Sequence, residues 1–473
     1  MHMLMATRID IIQKLNVYPR HQNQDQKKLI TLSNLDRQCP FLMYLVFFYK
    51  NTTSRDFDSI FSDLKLGLEE TLSVWYPAAG RLALDKGGYN LNIQCNDCGA
   101  VIVEATVPGV KLSELGDLTQ YNEFYETLVY KPSFDGDFSV MPLVVAQVTR
   151  FACGGYSIGI GTGHSLFDGI SAYDFIHAWA FNSHIHNRSN DKITNKKDHL
   201  VIKPVHDRGN LLFNRDYQSR DALRVTSAAA IYHLYQLIKQ AIMSHQEQNR
   251  NFELPDSGFV IKTFDLNDEW IESMKKKSLD GFLCSSFEFL AAHLWKARTR
   301  ALGLRRDAMV CLQFAVDIRK RTEPSLPEGF SGNAYVLASV VSTTRELLEE
   351  LTLESIVNKI REAKNSIDQD YINSYIEALG GGDQRNDGNL PPLKELTLIS
   401  DWTKMPFHNV GFGSGGEPAD NVAPLCPPVP QVAYFMKNTK DAKGVTVRIG
   451  LDPRDVNDFT NHFLDFNILA GDN

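Results

Sequence analysis

The sequence predicts an α/β protein in two halves that are joined by a long polar crossover. Three observations support this fold class. Short runs of alternating apolar residues, typical of strands, are interspersed with longer segments of helical spacing in both halves. The chain has 473 residues, 43% of them hydrophobic, which is enough to bury large cores. Between 182 and 220 the sequence becomes polar and loses its periodicity.

The first half contains strands around two helical segments. The run 41–49 is apolar but has only about half of the ~20 residues of a membrane-spanning helix, so we predict a buried strand. Helical spacing over 59–74 ends at the proline and glycine of the turn Tyr76-Pro77-Ala-Ala-Gly80-Arg81. A second helix is predicted over 170–181. The remaining predicted strands are 81–84, 89–94, 101–105, 143–151 and 156–161.

The second half alternates helices with strands. Residues 285–301 and 347–375 have helical spacing, whereas 310–316, 334–341 and 445–451 read as extended. The predicted organisation is therefore an N-terminal domain over 1–181, a crossover loop over 182–220 and a C-terminal domain over 221–473.

Charge and composition exclude several classes of function. The 49 basic and 57 acidic side chains are interspersed and give a net charge of −8, which does not favour nucleic-acid binding. The N-terminus lacks the basic start and apolar stretch of a secretory signal, so we expect a cytoplasmic protein without a membrane span.

Cysteine and histidine residues do not form a convincing metal site. The seven cysteines are scattered, as expected for reduced thiols, and Cys95 and Cys98 have no second ligand pair that could complete a tetrahedral zinc site. Four histidines in the crossover lack a neighbouring acidic or cysteine cluster, and we expect structural roles for them. They are His184, His186, His199 and His206.

A candidate catalytic group lies in the segment His164-Ser-Leu-Phe-Asp168-Gly169, between a predicted strand and a predicted helix. A histidine on such a turn, backed by a carboxylate, can be held in one tautomer and act as a general base. Gly161, Gly163 and Gly169 would allow tight turns and the close approach of a ligand. The pattern alone is short, so its significance depends on the rest of the chain.

Further motifs accompany the His164 segment along the chain. The segments 76–81, 142–155, 285–296 and 317–333 read YPAAGR, PLVVAQVTRFACGG, SSFEFLAAHLWK and DIRKRTEPSLPEGFSGN. Plant BAHD acyltransferases have similar motifs in the same order around their signature His-x-x-x-Asp-Gly, and the chain resembles this family over nearly its whole length. One motif departs from the family pattern. Where the family has Asp-Phe-Gly-Trp-Gly-Lys-Pro, Gly411 and Ser414 replace the aspartate and the tryptophan, so the geometry of this loop is in question.

The resemblance implies two chloramphenicol-acetyltransferase-like domains, each a mixed sheet flanked by helices. It also implies a monomeric, acyl-CoA-dependent O- or N-acyltransferase. His164 is then the general base that removes a proton from an alcohol or amine acceptor. Asp168 is expected to fix the loop, pairing with an arginine such as Arg319. Acyl-CoA is the co-substrate, and no permanent cofactor or metal is expected.

The resemblance assigns further residues to substrates. Ser400 and Trp402 match positions that line the acceptor pocket, so either could donate a hydrogen bond to the oxyanion or the substrate, although Trp402 could equally be a core aromatic. Ser285 and Ser286, with Arg319, could contact coenzyme A, although a helix cap is the default role for the two serines.

A non-catalytic role is the alternative. The changes at Gly411 and Ser414 favour a family member that acts as a partner of a very-long-chain fatty acid elongation complex. The intact His164 and Asp168 favour the enzyme. The sequence leaves the acyl donor and the acceptor open, because a pocket's shape depends on side chains from distant segments.

Overall fold

The structure of the protein, a computed structural model, describes residues 8–21, 28–50, 55–87, 90–133, 136–184, 202–212, 259–380, 395–413, 416–425 and 430–464. The chain divides into two compact units. The first comprises Met1–Leu212, Leu326–Asn333 and Met405–Leu425, and the second comprises Phe213–Ser325, Ala334–Lys404 and Cys426–Asn473. Two segments from beyond the predicted crossover therefore belong to the first unit.

The described residues contain fifteen strands and eight α-helices. The strands are β1 (Asp10–Val17), β2 (Leu29–Ile30), β3 (Leu42–Tyr49), β4 (Arg81–Leu84), β5 (Leu91–Gln94), β6 (Ala100–Val107), β7 (Val144–Phe151), β8 (Tyr156–Gly163), β9 (Val260–Leu266), β10 (Met309–Asp317), β11 (Tyr335–Thr343), β12 (Leu396–Asp401), β13 (Asn421–Pro424), β14 (Val432–Lys437) and β15 (Val445–Leu451). The helices are α1 (Asn34–Arg37), α2 (Phe57–Val74), α3 (Gly169–Asn182), α4 (Asp268–Ser278), α5 (Ser286–Ala301), α6 (Leu353–Asn365), α7 (Gln369–Gly380) and α8 (Val456–Leu464).

The first unit is built on a mixed six-stranded sheet in the order β1-β6-β7-β8-β3-β13, beside a small sheet of β2, β5 and β4. Strand β8 lies in the interior of the large sheet, antiparallel to both β7 and β3. All eight of its residues are buried, as expected for a strand that is covered on both faces. Its last residue is Gly163, so the sheet carries His164 directly at the end of a rigid strand.

The helix that follows His164 is held against α2. The indole N–H of Trp179 on α3 donates to the Leu64 carbonyl at 2.7 Å. Gly67 on α2 lies so close to Ser183 that an added Cβ would be 2.3 Å from the serine Oγ. This close approach fixes α3, and with it the turn that precedes the helix.

The second unit has its own mixed sheet, in the order β11-β10-β12-β14-β15-β9. The central pairs β10–β12 and β12–β14 are parallel, and the outer pairs are antiparallel. Trp295 and Phe289 of α5 are fully buried in the core of this unit. The predicted architecture of mixed sheets flanked by helices is thus confirmed.

The predicted helical segment over 347–375 is wrong as a single element. A π-helix at Glu346–Glu350 is followed by α6 and then by α7. The Thr352 side chain accepts the Ser355 N–H at 3.2 Å, and the Asp368 carboxylate accepts the Tyr371 N–H at 2.8 Å. Each of these side-chain oxygens starts a new helix, because it satisfies an N–H group that a continuous helix would bond to its own backbone.

Candidate active site

His164 is held at the end of β8 by hydrogen bonds to both of its main-chain polar groups. Its N–H donates to the Phe41 carbonyl at 2.7 Å, and its carbonyl accepts from Nδ2 of Asn333 at 2.6 Å. The N–H groups of Leu166 and Phe167 both donate to the Gly163 carbonyl, which closes the turn behind the histidine. The side chain of His164 is half-buried. The backbone that carries the predicted base is therefore fixed on all sides.

Asp168 is the N-cap of α3, and its side chain forms a reciprocal capping box with Ser171. Its Oδ1 accepts the Ser171 N–H at 3.0 Å and the Ser171 hydroxyl at 2.9 Å. The Asp168 N–H in turn donates to the Ser171 Oγ at 2.9 Å. Helix capping by these bonds is enough to explain the position of the Asp168 carboxylate, without a role in relaying charge to the imidazole of His164. Its pairing with Arg319 stays a prediction.

The glycines around His164 serve packing rather than unusual backbone angles. Gly161, Gly163 and Gly169 are absent from the glycines of positive φ in the described residues. A Cβ on Gly161 would lie 2.6 Å from the Tyr44 ring, and one on Gly169 would lie 2.3 Å from the terminal methyl of Met405. The missing Cβ of Gly161 and of Gly169 thus admits neighbouring side chains, Gly163 begins the turn that its carbonyl closes, and the close approach of a ligand to these glycines stays a prediction.

Ser400 and Trp402 lie in the second unit, at the end of β12 and just beyond it. The Trp402 indole N–H donates to the Ser400 Oγ at 2.8 Å. Trp402 is half-buried and its ring packs at 5.6 Å from the ring of Tyr434. Because the indole hydrogen already bonds Ser400, the serine hydroxyl is the donor that this pair can offer to another molecule.

The other predicted substrate residues also lie in the second unit. Ser285 caps α5, because its Oγ accepts the Glu288 N–H at 3.2 Å while the Glu288 carboxylate accepts the Ser285 N–H at 3.0 Å. Ser286 is the first residue of α5, and its Oγ accepts from Nζ of Lys275 at 3.2 Å. Arg319 follows β10, where its Nη1 lies 3.5 Å from an oxygen of Asp317.

The loop with the altered family motif is fastened through three successive carbonyls. The hydroxyls of Tyr49 and Tyr156 donate to the carbonyls of Val410 and Phe412 at 3.0 and 2.9 Å. Between them, Nε2 of His184 lies 3.0 Å from the Gly411 carbonyl oxygen. The buried Phe412 ring also packs edge-to-face on Trp179 at 4.9 Å. Side chains from β3, from β8 and from the residue just after the C-cap of α3 thus hold this loop. Ser414 lies outside the described residues.

Restoring the family's aspartate at Gly411 is expected to destabilise the protein. A Cβ at this position would lie 2.6 Å from the Gly416 carbonyl oxygen, so the backbone of the loop would have to shift. We expect Gly411→Asp to lower the free energy of unfolding by about 1–3 kcal/mol, measured by chemical denaturation. Gly411→Ala is the matched variant, since it adds the Cβ without the charge. An alanine variant as stable as the wild type would contradict the steric argument.

The crossover histidines that the structure describes have structural contacts. His184 holds the Gly411 loop, and His206 bonds the Ser331 Oγ at 2.8 Å and the Val74 carbonyl at 3.3 Å. Burial lowers the pKa of His206 to about 4. His186 and His199 lie outside the described residues. Within the described part of the chain, no group of three or more His, Cys, Asp or Glu residues could hold a metal ion.

Sequence reasoning missed three residues behind His164. Asn333 ended a recognised motif but received no role, and Asp36 and Arg208 received no attention. A usable signal existed for Asp36, since Ser33-x-x-Asp36 has the spacing of a capping box and the structure contains one there. No sequence signal joins Asp36 to Arg208, because 172 positions separate them.

Comparisons with known proteins agree with this architecture. A model of the Transferase family matches residues 7–466. "Brassinosteroid-related acyltransferase 1" of Arabidopsis thaliana is 85% identical over 465 residues, which cover 98% of this chain and 100% of that one. None of the helices described here has the length and apolar character needed to cross a membrane.

Two solved structures share the fold. Vinorine synthase has a TM-score of 0.70 at 18% identity, with 97% of this chain and 98% of that chain covered. F. graminearum TRI101, complexed with coenzyme A and T-2 mycotoxin, has a TM-score of 0.68 at 15% identity, with 91% and 96% covered. The family model spans the chain on both sides of the His164 segment, and the chain therefore belongs to the transferase family of the plant BAHD acyltransferases.

Proposed function

We propose that this acyltransferase moves an acyl group from acyl-CoA to a hydroxyl group of a small acceptor, with His164 as the general base. The observation that carries the proposal is the fixed backbone of His164 at the end of β8, in a chain that belongs to an acyltransferase family. Acyl-CoA as co-substrate, without a permanent cofactor, is consistent with the coenzyme A held by a structure of the same fold.

The proposed chemistry needs no covalent enzyme intermediate. The imidazole of His164 takes the proton of the acceptor hydroxyl while the oxygen attacks the thioester carbonyl. The resulting tetrahedral oxyanion collapses, the carbon–sulfur bond breaks, and the proton passes from the imidazolium to the sulfur of coenzyme A. A hydrogen bond to the oxyanion lowers the barrier to its formation, and Ser400 is the proposed donor, with Trp402 orienting its Oγ.

The coenzyme A contacts belong to the same proposal. Ser285 and Ser286 lie at the N-terminus of α5, where partial positive charge favours a phosphate group. Ser286 also brings the ammonium group of Lys275 to this helix end. In addition to this helix end, Arg319 is proposed to contact a phosphate group of coenzyme A.

The acceptor is proposed to be a polyhydroxylated steroid, so that the reaction is O-acylation. This proposal rests on the name of the 85% identical relative, which refers to brassinosteroids. A steroid offers a rigid apolar body with a few hydroxyl groups, which matches the general make-up of ligand pockets, mostly apolar with a few placed polar groups. A cytoplasmic monomer completes the proposal, and light scattering and a fluorescent fusion would test these two points.

The test is release of coenzyme A by the purified full-length protein. The panel combines acyl-CoAs of short aliphatic, long aliphatic and aromatic type with a brassinosteroid, a primary fatty alcohol and an aliphatic amine. Release that depends on the steroid supports the proposal, whereas release with the amine alone would redirect it to N-acylation. No release with any pair would favour the alternative, a non-catalytic partner of a lipid elongation complex, which the relatives described above do not support.

A further inference from the structure

A buried polar cluster, formed by Asp36, Arg208 and Asn333, lies directly behind the backbone of His164. The side chains of Asp36 and Arg208 are fully buried, and Nε of Arg208 donates to Oδ2 of Asp36 at 2.9 Å. Asn333 is also fully buried. Charged and amide groups are costly to remove from water, so a cluster of this kind persists only when its members bond one another.

Asn333 connects the cluster to the predicted base. Its Nδ2 donates one hydrogen to the His164 carbonyl at 2.6 Å and is 3.1 Å from Oδ1 of Asp36, to which it donates the other. Its main-chain N–H donates to the same Asp36 oxygen at 2.9 Å. The side-chain amide therefore cannot rotate without breaking a bond to the carboxylate, and it delivers a rigid donor to the peptide of His164.

The carboxylate of Asp36 is itself fixed from the opposite side. Its Oδ2 accepts the Ser33 N–H at 3.0 Å and the Ser33 hydroxyl at 2.7 Å, in addition to Arg208. Arg208 is held by the His206 carbonyl at 3.0 Å and by tight packing on Gly332, where an added Cβ would lie 2.7 Å from Cζ. Three segments that are distant in sequence, those of Ser33 and Asp36, of Arg208 and of Asn333, thus meet at one carboxylate.

We propose that Asn333 is a positioning residue for acyl transfer, held by Asp36 and Arg208 so that the peptide of His164 keeps the imidazole aimed at the reacting hydroxyl. This inference rests on the proposed function, since it requires His164 to be the base. Its physical ground is that misplacing a catalytic group by about 1 Å can cost on the order of 100-fold in rate. Loss of the Nδ2 donor frees the His164 carbonyl to move without removing any group that reacts.

The first test is Asn333→Ala in the full-length protein, with coenzyme A release as the assay. We expect kcat to fall by about 10- to 100-fold while KM for acyl-CoA stays within about twofold, because the variant disturbs the reacting geometry and leaves ground-state binding intact. Assays at a temperature well below the measured unfolding midpoint ensure that the loss refers to folded protein.

Asn421→Ala is the matched control. Asn421 is 5% exposed, and its side-chain amide also donates to a backbone carbonyl, that of Leu118, in the same unit. Asn421 pairs with Phe48 on β3, whereas the His164 N–H bonds the Phe41 carbonyl. Phe41 and Phe48 are about 23 Å apart at the rise per residue of an extended strand, so the control lies far from His164. We expect this variant to be destabilised by a similar amount and to keep its kcat. Equal kcat losses in the two variants would overturn the inference.

A second variant tests whether the cluster acts as one unit. Asp36→Asn offers a single acceptor oxygen in place of two, so it cannot satisfy both Asn333 and Arg208. We expect the double variant with Asn333→Ala to lose no more kcat than the worse single variant. Fully additive losses would show independent effects and would overturn the coupling. A wild type without turnover overturns the proposed function itself, whereas an active wild type with an unimpaired Asn333→Ala variant overturns only the positioning role.

Discussion

Replacing His164 by alanine is expected to lower kcat/KM for acyl transfer by about 10²–10⁴-fold, the range that a positioned general base contributes. Without the imidazole, the acceptor hydroxyl must lose its proton to water while it attacks the thioester. Binding of acyl-CoA should change little, because the base acts on the acceptor. The measurement is steady-state release of coenzyme A, followed with a thiol reagent at several concentrations of each substrate.

Two further variants make this result specific to proton transfer. His164→Gln keeps a polar side chain but cannot take a proton, so it should be as slow as the alanine variant. His21→Ala removes a side chain that is 73% exposed, and it should behave as the wild type. Retention of more than about a tenth of wild-type kcat/KM by His164→Ala would assign the base to another group.

Breaking the buried ion pair is expected to have the largest effect on stability. Arg208→Leu leaves the carboxylate of Asp36 without its charged partner, in a place where neither side chain reaches solvent. An uncompensated buried charge of this kind typically costs about 3–5 kcal/mol. We therefore expect the free energy of unfolding of the first unit to fall by about this amount, measured from urea denaturation with the tryptophan fluorescence as signal.

An exposed ion pair in the same unit supplies the comparison. Nη1 of Arg20 lies 2.8 Å from an oxygen of Glu70, but the two side chains are 42% and 27% exposed. Water screens such a pair, so Arg20→Leu should cost less than about 1 kcal/mol. If the Arg208 and Arg20 variants lost the same stability, burial would not be what makes the Asp36 pair important.

The spacing of apolar residues predicted most of the helices and strands, because apolar side chains at helical or alternating spacing form the face that an element buries. The strand expected over 41–49 is β3, and the helix expected over 170–181 is α3. The prediction of a single helix over 347–375 was wrong for a local reason as well. Thr352 and Asp368 interrupt it as caps, and hydrophobic spacing alone does not register a side chain that bonds the backbone.

The resemblance to the family did not predict how the loop with the altered motif is held. The replacement of its aspartate and tryptophan by Gly411 and Ser414 put the geometry of this loop in question. The structure instead holds this loop with the hydroxyls of Tyr49 and Tyr156 and the imidazole of His184. These donors come from segments 227 or more positions away, as counted from the hydrogen-bonded pairs.

The sequence by itself determined the fold class and the family, and it proposed His164 and Asp168 as site residues, because each of these conclusions depends on short-range spacing or on ordered motifs. Only the tertiary structure decided how His164 is held. The amide of Asn333 and the carboxylate of Asp36 are 297 positions apart, yet they share a hydrogen bond. Such a bond forms only after the chain has folded, because the topology of the fold brings the two residues together. Once they are buried, each polar group needs a hydrogen-bond partner, and the nearest polar group supplies it.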